Sequence, residues 1–201
     1  MTAPALPAWR VAGFVVAGGR SRRMGGDKAL LPWGNTTLLD HAIARMRAVV
    51  PELLLLAGEA TRYADRGLPV VADACPDGGP LSGLLGGLDH VPGGGGIFLA
   101  VDVPRVPEAL LRHLLQSAGN HDAVVPVSPA GPEPLCAVYG PGCAEPIRRR
   151  LAAGERKMTC FWPDVRVLQL EIRTEMGFGP PERIFLNVNS PEEYELARRQ
   201  R

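Results

Sequence analysis

Residues 15–28 read VVAGGRSRRMGGDK and carry the strongest signal for the fold of this chain. An apolar run over residues 11–17 predicts a buried strand, which two adjacent glycines end. The following loop contains three arginines, and a second pair of glycines leads to Asp27 and Lys28. Glycine lets the backbone approach an anion and direct its N–H groups at the oxygens. With a side-chain charge of about +3, this loop is a candidate cradle for a triphosphate.

Two well-known phosphate loops do not match the spacing. A P-loop has the pattern GxxxxGK[ST], but Asp27 separates Gly26 from Lys28 in this chain. Ala29 then follows the lysine, where a P-loop has Ser or Thr, and the dinucleotide-binding pattern GxGxxG is absent. The alternative is an ordinary surface turn rich in glycine and arginine. Four basic residues and two glycine pairs directly after an apolar strand favour the anion site.

The composition predicts a globular protein with one domain over residues 1–201. Hydrophobic residues make up 46% and charged residues 21% of the 201-residue chain. A net charge of +1 predicts no general attraction to nucleic acid or to a membrane surface. We find no apolar run near the ~18–20 residues that span a bilayer, and no secretion signal. Four cysteines without CxxC spacing and four scattered histidines predict reduced thiols, no metal cluster and a cytoplasmic location.

Apolar runs alternate with helical patterns along most of the chain. The predicted strands are residues 11–17, 53–57, 69–72, 97–101, 123–127, 135–139 and 165–170. The predicted helices are residues 36–50, 81–88, 107–118, 145–153 and 191–199. This alternation predicts an α/β fold of three layers, with a mostly parallel sheet covered by helices on both faces. The run GGGG at residues 93–96 is expected to be flexible, and residues 174–181 are expected to form a loop.

Two carboxylates follow strands of the predicted sheet. Asp73 follows the third strand, and Asp102 ends the run IFLAVD. Because ligands of such sheets bind at the carboxyl ends of the strands, we expect both to lie near the basic loop. Magnesium prefers one or two protein oxygens together with phosphates and waters, which makes Asp102 a candidate metal ligand. The alternative for Asp102 is a residue that only begins the turn before Pro104.

Residues 185–191, FLNVNSP, supply two more oxygen donors. Asn187 and Asn189 alternate, so in an extended segment they face the same side, where they can reach a metal or a substrate. The alternative is that Asn189 and Ser190 cap the terminal helix. One of these residues can cap while another reaches the site.

Two further segments are candidate substrate contacts. Asp73 and residues 78–81, GGPL, could read the hydrogen-bonding edge of a base, although such glycine and proline pairs usually mark turns. Glu133 and Pro134 precede a predicted strand and are candidates for contact with a second substrate.

The suggested chemistry requires no nucleophilic side chain. A substrate phosphate that attacks the α-phosphorus of a nucleoside triphosphate is already ionised at neutral pH. The protein then has to align the two substrates and stabilise the departing pyrophosphate. Arg23, Lys28 and a magnesium ion on Asp102 would do so by positioning and electrostatics.

The loop resembles a family motif. VAGGRSRRMGGDK at residues 16–28 is similar to the LAGGxSxRMGxDK loop of MobA-type molybdenum cofactor guanylyltransferases. The likeness continues, in the same order, through residues 79–83, 102–104, 134–139 and 185–191, the last corresponding to FxNVNTPE. Sugar nucleotidyltransferases usually have proline where this chain has Asp27, and this difference argues against membership of that family. The chain departs from the family at the end of the second strand, where Leu56-Ala57-Gly58 stands in place of a frequent asparagine.

The resemblance implies a GT-A-like, Rossmann-related nucleotidyltransferase fold. The implied reaction transfers GMP from GTP to molybdopterin and releases pyrophosphate, with Mg²⁺ as cofactor and molybdoenzyme maturation proteins as further partners. From the motifs and the resemblance together, the expected nucleotide contacts are Val16, Ala17, Gly18, Gly19, Arg23, Lys28, Asp73, Gly79, Pro80, Leu81 and Asp102. Arg23, Lys28 and Asp102 are the expected catalytic residues, and Asp102 is the expected metal ligand. Asn187, Asn189 and Pro134 are expected to contact the substrate or the metal.

Two alternatives stay open at this stage. The first is the same chemistry with another nucleotide, such as cytidylyl transfer to molybdopterin, which a comparison of triphosphates would reveal. The second is a non-catalytic nucleotide-binding module, which would bind a nucleotide without turnover.

Overall fold

A sheet of eight strands forms the centre of the fold in a computed structural model, which describes residues 7–18 and 26–199. The strands are β1 (Val11–Val16), β2 (Pro32–Trp33), β3 (Thr36–Thr37), β4 (Leu53–Gly58), β5 (Val70–Ala72), β6 (Gly95–Ala100), β7 (Ala123–Ser128), β8 (Gly131–Pro132), β9 (Cys136–Tyr139) and β10 (Val167–Glu171). The helices are α1 (Leu38–Arg47), α2 (Gly79–His90), α3 (Glu108–Gln116), α4 (Ala144–Ala152), α5 (Pro181–Ile184) and α6 (Pro191–Arg199). All seven predicted strands and all five predicted helices are confirmed to within two or three residues at most ends.

The strand order places the carboxyl end of β1, after which the basic loop begins, in the interior of the sheet. The order is β10-β7-β9-β6-β1-β4-β5, with β8 paired to β7, while β2 and β3 form a separate hairpin. β1 pairs in parallel with β4 on one side and with β6 on the other, and β5 continues parallel to β4. β9 is antiparallel to both of its neighbours. The sheet is therefore mostly parallel, as predicted, and the carboxyl ends of β1, β4, β5 and β6 share one edge.

The two faces of the sheet bury separate apolar clusters. On one face Val15 and its neighbours pack against α1, α3 and α6. On the other face Phe14 and its neighbours pack against α2 and α4. Phe14 stacks on Phe98 of β6, with ring centroids 4.4 Å apart. Adjacent residues of β1 thus serve opposite faces, since successive side chains of a strand alternate, and the three-layer prediction is confirmed.

The expectation of flexibility at residues 93–96 is wrong for half of that run. Gly95 and Gly96 begin β6 and are buried. A Cβ atom on Gly96 would lie 2.3 Å from the carbonyl oxygen of Ala12 and 2.3 Å from the ring of Phe14. The glycine is required because β1 and its aromatic side chain approach so closely.

Residues 174–181 contain more regular structure than expected. A short 3₁₀ helix occupies Thr174–Met176, and α5 begins at Pro181. None of the described helices is long and apolar enough to span a bilayer.

Candidate functional site

Three predicted residues meet at the carboxyl edge of the sheet. Lys28 begins a short 3₁₀ helix, Lys28–Leu30. Its Nζ lies 2.9 Å from Oδ2 of Asp102 and 2.9 Å from Oδ1 of Asn189. The side chains of Lys28 and Asp102 are 16% and 20% exposed, so a ligand can reach both. The charged centre predicted from the sequence thus exists as a contact between three distant segments.

The N-terminus of α6 holds Asn189 in place. The backbone N–H groups of Asn189 and Ser190 donate to the Glu193 carboxylate at 2.7 and 3.0 Å, and the Glu193 N–H donates to Ser190 Oγ at 3.3 Å. This reciprocal arrangement is a capping box. Upstream, the N–H of Val188 donates to the carbonyl of Asp102 at 2.8 Å, which brings the segment beside the end of β6.

The two asparagines have different surroundings. Ser190 caps the helix, as one alternative for this segment predicts, while the Asn189 side chain accepts a hydrogen bond from Lys28. The contact of Asn189 with a metal or a substrate stays a prediction. Asn187 instead donates through Nδ2 to the carbonyl of Phe185 at 3.2 Å, within its own turn.

Asp102 and Asn189 form a donor set that suits a hard divalent cation. A carboxylate oxygen and an amide oxygen already converge on one positive charge, the ammonium of Lys28. Within residues 7–18 and 26–199, no group of three His, Cys, Asp or Glu side chains could cage a metal. A magnesium ion at Asp102 would therefore take most of its ligands from substrate phosphates and water, as this ion commonly does.

A cavity of ≈ 620 Å³, in the size range of small-molecule sites, opens at the same edge of the sheet, although Lys28, Asp102 and Asn189 are not among the residues that line it. Five predicted nucleotide contacts line it, namely Val16, Gly18, Asp73, Gly79 and Pro80. The ends of β1, β4 and β5 and the start of α2 contribute these and the neighbouring residues. The structure therefore brings the candidate base-reading segment and the end of the first strand to one concave site.

Other predicted contacts lie elsewhere. Leu81 is fully buried and packs in the core on the α2 face of the sheet, not in the wall of the cavity. Ala17 is also buried, and its N–H donates to the carbonyl of Leu56 at 2.9 Å. The carbonyl of Pro134 accepts a hydrogen bond from Tyr139 at 2.8 Å, while the next residue, Leu135, lines the cavity.

The predictions for Gly19 and Arg23 lie outside the described residues. Their roles stay predictions.

Asp73 is the carboxylate of the cavity wall. Its N–H donates to the carbonyl of Gly58 at 3.4 Å. Burial raises the pKa of Asp73 above its ordinary value. A Cβ atom on Gly83 would lie 3.3 Å from Oδ1 of Asp73, so the glycine lets α2 pass close to this carboxylate. A half-buried carboxylate in a cleft is a frequent property of binding sites.

Sequence reasoning missed the residues that follow β4. Arg62 lines the cavity and forms an ion pair with Asp27, with 2.9 Å between nitrogen and oxygen. Tyr63 Oη lies 2.8 and 2.7 Å from the two Asp27 oxygens. The segment has no apolar period and no known motif, so only the three-dimensional contact reveals it.

These contacts shift two pKa values. Burial raises the pKa of Asp27, but the hydrogen bonds from Tyr63 and Arg62 outweigh it, and the net pKa lies below its ordinary value. Burial, together with the hydrogen bond to Asp27, raises the pKa of Tyr63 well above its ordinary value. At neutral pH Asp27 is therefore an ionised acceptor and Tyr63 a protonated donor.

Several known proteins are similar to this chain in sequence and in fold. The family model of the MobA-like NTP transferase domain matches residues 13–165. The molybdenum cofactor guanylyltransferase of Cereibacter sphaeroides is 38% identical over 189 residues, which cover 92% of this chain and 93% of that protein. The crystal structure of molybdopterin-guanine dinucleotide biosynthesis protein A from Archaeoglobus fulgidus superposes with a TM-score of 0.82 at 23% identity, covering 94% and 98% of the two chains. A Mycobacterium tuberculosis protein solved in complex with manganese has a TM-score of 0.69 at 21% identity, covering 95% and 99%.

Proposed function

This chain belongs to the MobA-like NTP transferase family and is a nucleotidyltransferase, and we propose that it transfers GMP from GTP to molybdopterin. One observation carries the assignment of the site. The contact of Lys28 with Asp102 lies at the same edge of the sheet as a cavity large enough for a nucleoside. A charged centre for phosphates and an adjoining pocket for a base together match a nucleoside triphosphate.

The reaction forms one bond and breaks one bond. A phosphate oxygen of molybdopterin bonds to the α-phosphorus of GTP, and the bond from that phosphorus to the bridging oxygen of pyrophosphate breaks. No side chain has to accept a proton from the nucleophile, because the attacking phosphate is ionised at neutral pH. The residues of this chain therefore act by binding and orienting the two substrates.

Lys28 binds the phosphates in this proposal. Its ammonium neutralises the negative charge that develops on the departing pyrophosphate, a role for which a fixed cation is well suited. Arg23 would add a second positive charge from the same loop. Asn189 also accepts a hydrogen bond from the ammonium, at 2.9 Å, and its own position depends on the capping box of α6.

The cavity binds the nucleoside. Val16 and Gly18 bring the end of β1 against the nucleotide, and Gly79 and Pro80 bring the start of α2. Asp73 accepts hydrogen bonds from the nucleoside, because its carboxylate lies in the wall at the end of β5. Leu56, Ala57 and Gly58 complete the wall at the end of β4.

Asp102 is the residue that would hold a magnesium ion, with the amide oxygen of Asn189 nearby. When bound, the ion supplies positive charge to the triphosphate and withdraws electrons from its phosphorus atoms. We further propose cytoplasmic action and transfer of the finished cofactor to molybdoenzyme maturation proteins.

The test is turnover with each common triphosphate. Purified protein is incubated with Mg²⁺, molybdopterin and GTP, ATP, CTP or UTP, and pyrophosphate and the dinucleotide product are measured. GTP is expected to give product at a rate far above the other three. A preference for CTP would redirect the assignment to cytidylyl transfer, and binding without pyrophosphate release would indicate a non-catalytic module.

A further inference from the structure

The segment that follows β4 is fastened to the end of the basic loop through one carboxylate. Tyr63 Oη lies 2.8 and 2.7 Å from the two oxygens of Asp27, although 36 residues separate them in the sequence. Arg62 adds an ion pair to the same carboxylate at 2.9 Å. Its guanidinium carbon also lies 4.8 Å from the centre of the Tyr63 ring. We call Asp27, Arg62 and Tyr63 the loop clamp.

The backbone of Tyr63 is unusual. Its φ of 61° lies in the left-handed region, which a bulky aromatic residue rarely adopts. The residue as a whole is only 8% exposed, so the ring packs in the core while the hydroxyl reaches Asp27. Strained backbone persists where surrounding contacts fix it, and it recurs at functional sites.

Asp27 connects the clamp to Lys28. Oδ1 of Asp27 accepts the N–H of Ala29 at 3.1 Å and so caps the 3₁₀ helix that Lys28 begins. The carboxylate thereby fixes the backbone on both sides of Lys28. A lysine side chain has many rotamers. A fixed backbone at Lys28 reduces the number of positions that its ammonium can occupy.

Arg62 supplies the positive charge of the loop clamp. Its guanidinium forms an ion pair with the Asp27 carboxylate and so compensates the negative charge of the residue that precedes Lys28. Arg62 also lines the nucleotide cavity, so the clamp is continuous with the wall of the site.

We propose that Tyr63, acting through Asp27, is a positioning residue that sets where the Lys28 ammonium lies in the nucleotide site. The proposal rests on the nucleotidyl transfer proposed above. It predicts that removal of one hydroxyl, which does not itself touch Lys28, alters both the chemical environment of that lysine and the rate of transfer.

The reactivity of the Lys28 amine can be measured directly in this chain. The chain has only two lysines, Lys28 and Lys157, so acetylation by an amine-reactive ester can be followed at each by mass spectrometry. The exposed Lys157 is the internal reference. The rate at Lys28 relative to Lys157 is measured for the wild type and for Tyr63→Phe, which keeps the ring and removes only the hydroxyl.

A matched control loosens the same segment elsewhere. Arg66 binds Asp40 of α1, with Nε 2.9 Å from Oδ1, and so tethers the segment without involving Asp27. Arg66→Met removes that tether. A second variant, Asp27→Asn, keeps the size of the side chain and removes its charge, and it replaces Tyr63→Phe if the latter does not fold.

The expected results distinguish a specific effect on the position of Lys28 from a general loosening of the segment that follows β4. Tyr63→Phe should raise the relative acetylation of Lys28 by about threefold or more and lower kcat by about tenfold, with the KM for GTP changed by less than about threefold. Arg66→Met should leave all three quantities within about twofold of wild type.

Unchanged Lys28 acetylation in Tyr63→Phe, or equal effects of Arg66→Met, would overturn the proposal. A wild type that transfers no nucleotide would refute the proposed function, and the acetylation rates would still decide the role of the clamp.

Discussion

The ammonium of Lys28 lies 2.9 Å from the carboxylate of Asp102, although 74 positions separate the two residues in the sequence. This contact joins the end of the basic loop to the end of β6. The side chains are only 16% and 20% exposed, but both still reach solvent, so we expect the pair to contribute about 1 kcal/mol to stability, the upper end for accessible ion pairs. The pair therefore matters more for ligand binding than for folding.

Lys28→Ala tests that distinction. We expect kcat to fall by about 10²–10³, the usual loss when a fixed donor to a developing charge is removed. The melting temperature should fall by no more than about 4 °C, the equivalent of about 1 kcal/mol for a chain of this length. Lys157→Ala, which removes the other lysine of the chain, is the matched control and should retain full activity. Full activity of Lys28→Ala would contradict the assignment of Lys28 as the residue that binds the phosphates.

Asn189→Ala and Asn187→Ala should differ although both remove the same amide. Asn189 accepts from Lys28, whereas Asn187 binds the carbonyl of Phe185. We expect kcat to fall by about tenfold for Asn189→Ala, the equivalent of one hydrogen bond to a charged group, and by about twofold or less for Asn187→Ala. Steady-state kinetics with saturating GTP measure both, and the reverse order would show that Asn187 is the residue in contact with the substrates.

The regular elements could be predicted because their signals are local. The apolar strand β1 and the helix α3 need only a run or a period of apolar residues, and proline and glycine mark the ends of α3. The position of Asp102 followed from a general rule, since parallel strands present their carboxyl ends at one edge. The antiparallel insertion of β9 between β6 and β7 has no such local signal.

The rest of the site depends on contacts between distant segments. Leu81 belongs to a recognisable motif, yet its side chain packs in the core because the first turn of α2 has an inward side. Gly96 belongs to a run of four glycines that predicts flexibility, but its missing side chain reflects close packing on Phe14. Tyr63 carries no signal in the sequence because its role arises from a hydroxyl that meets Asp27.

Gly96→Ala should destabilise the protein. The added methyl group would lie 2.3 Å from a backbone oxygen of the neighbouring strand and 2.3 Å from the Phe14 ring, and neither can move without disturbing the sheet. We expect a loss of about 1–3 kcal/mol in the free energy of unfolding, measured with urea. Gly26→Ala is the control, because its Cβ atom would meet no atom of the described residues within 4 Å. Equal stability of the two variants would contradict this packing.

Asp73→Asn should stabilise the protein while weakening GTP binding. Burial raises the pKa of Asp73 in the folded state above the ordinary value of 3.8, so the folded protein binds the proton more tightly than the unfolded chain. Ionisation of Asp73 therefore costs stability at neutral pH, and this cost disappears as the pH falls below the unfolded pKa. We expect Asp73→Asn to melt about 1–2 °C above wild type at pH 7, with the difference lost near pH 3.5. Its affinity for GTP should fall by about tenfold, because a charged hydrogen-bond acceptor is lost.

Asp122→Asn provides the comparison of opposite sign. The hydrogen bond from Arg166 lowers the pKa of Asp122, so its ionised form stabilises the fold above the unfolded pKa, and that contribution is lost as the pH falls through the folded pKa. This variant should melt below wild type at pH 7, and its difference should also vanish in acid. Scanning calorimetry from pH 7 down to about pH 2, below the ordinary pKa of 3.8, measures both variants under the same conditions. If Asp73→Asn melts below wild type at pH 7, as Asp122→Asn should, the Asp73 carboxylate has a stabilising partner within the folded protein. That result would contradict its proposed role as an acceptor for the nucleoside.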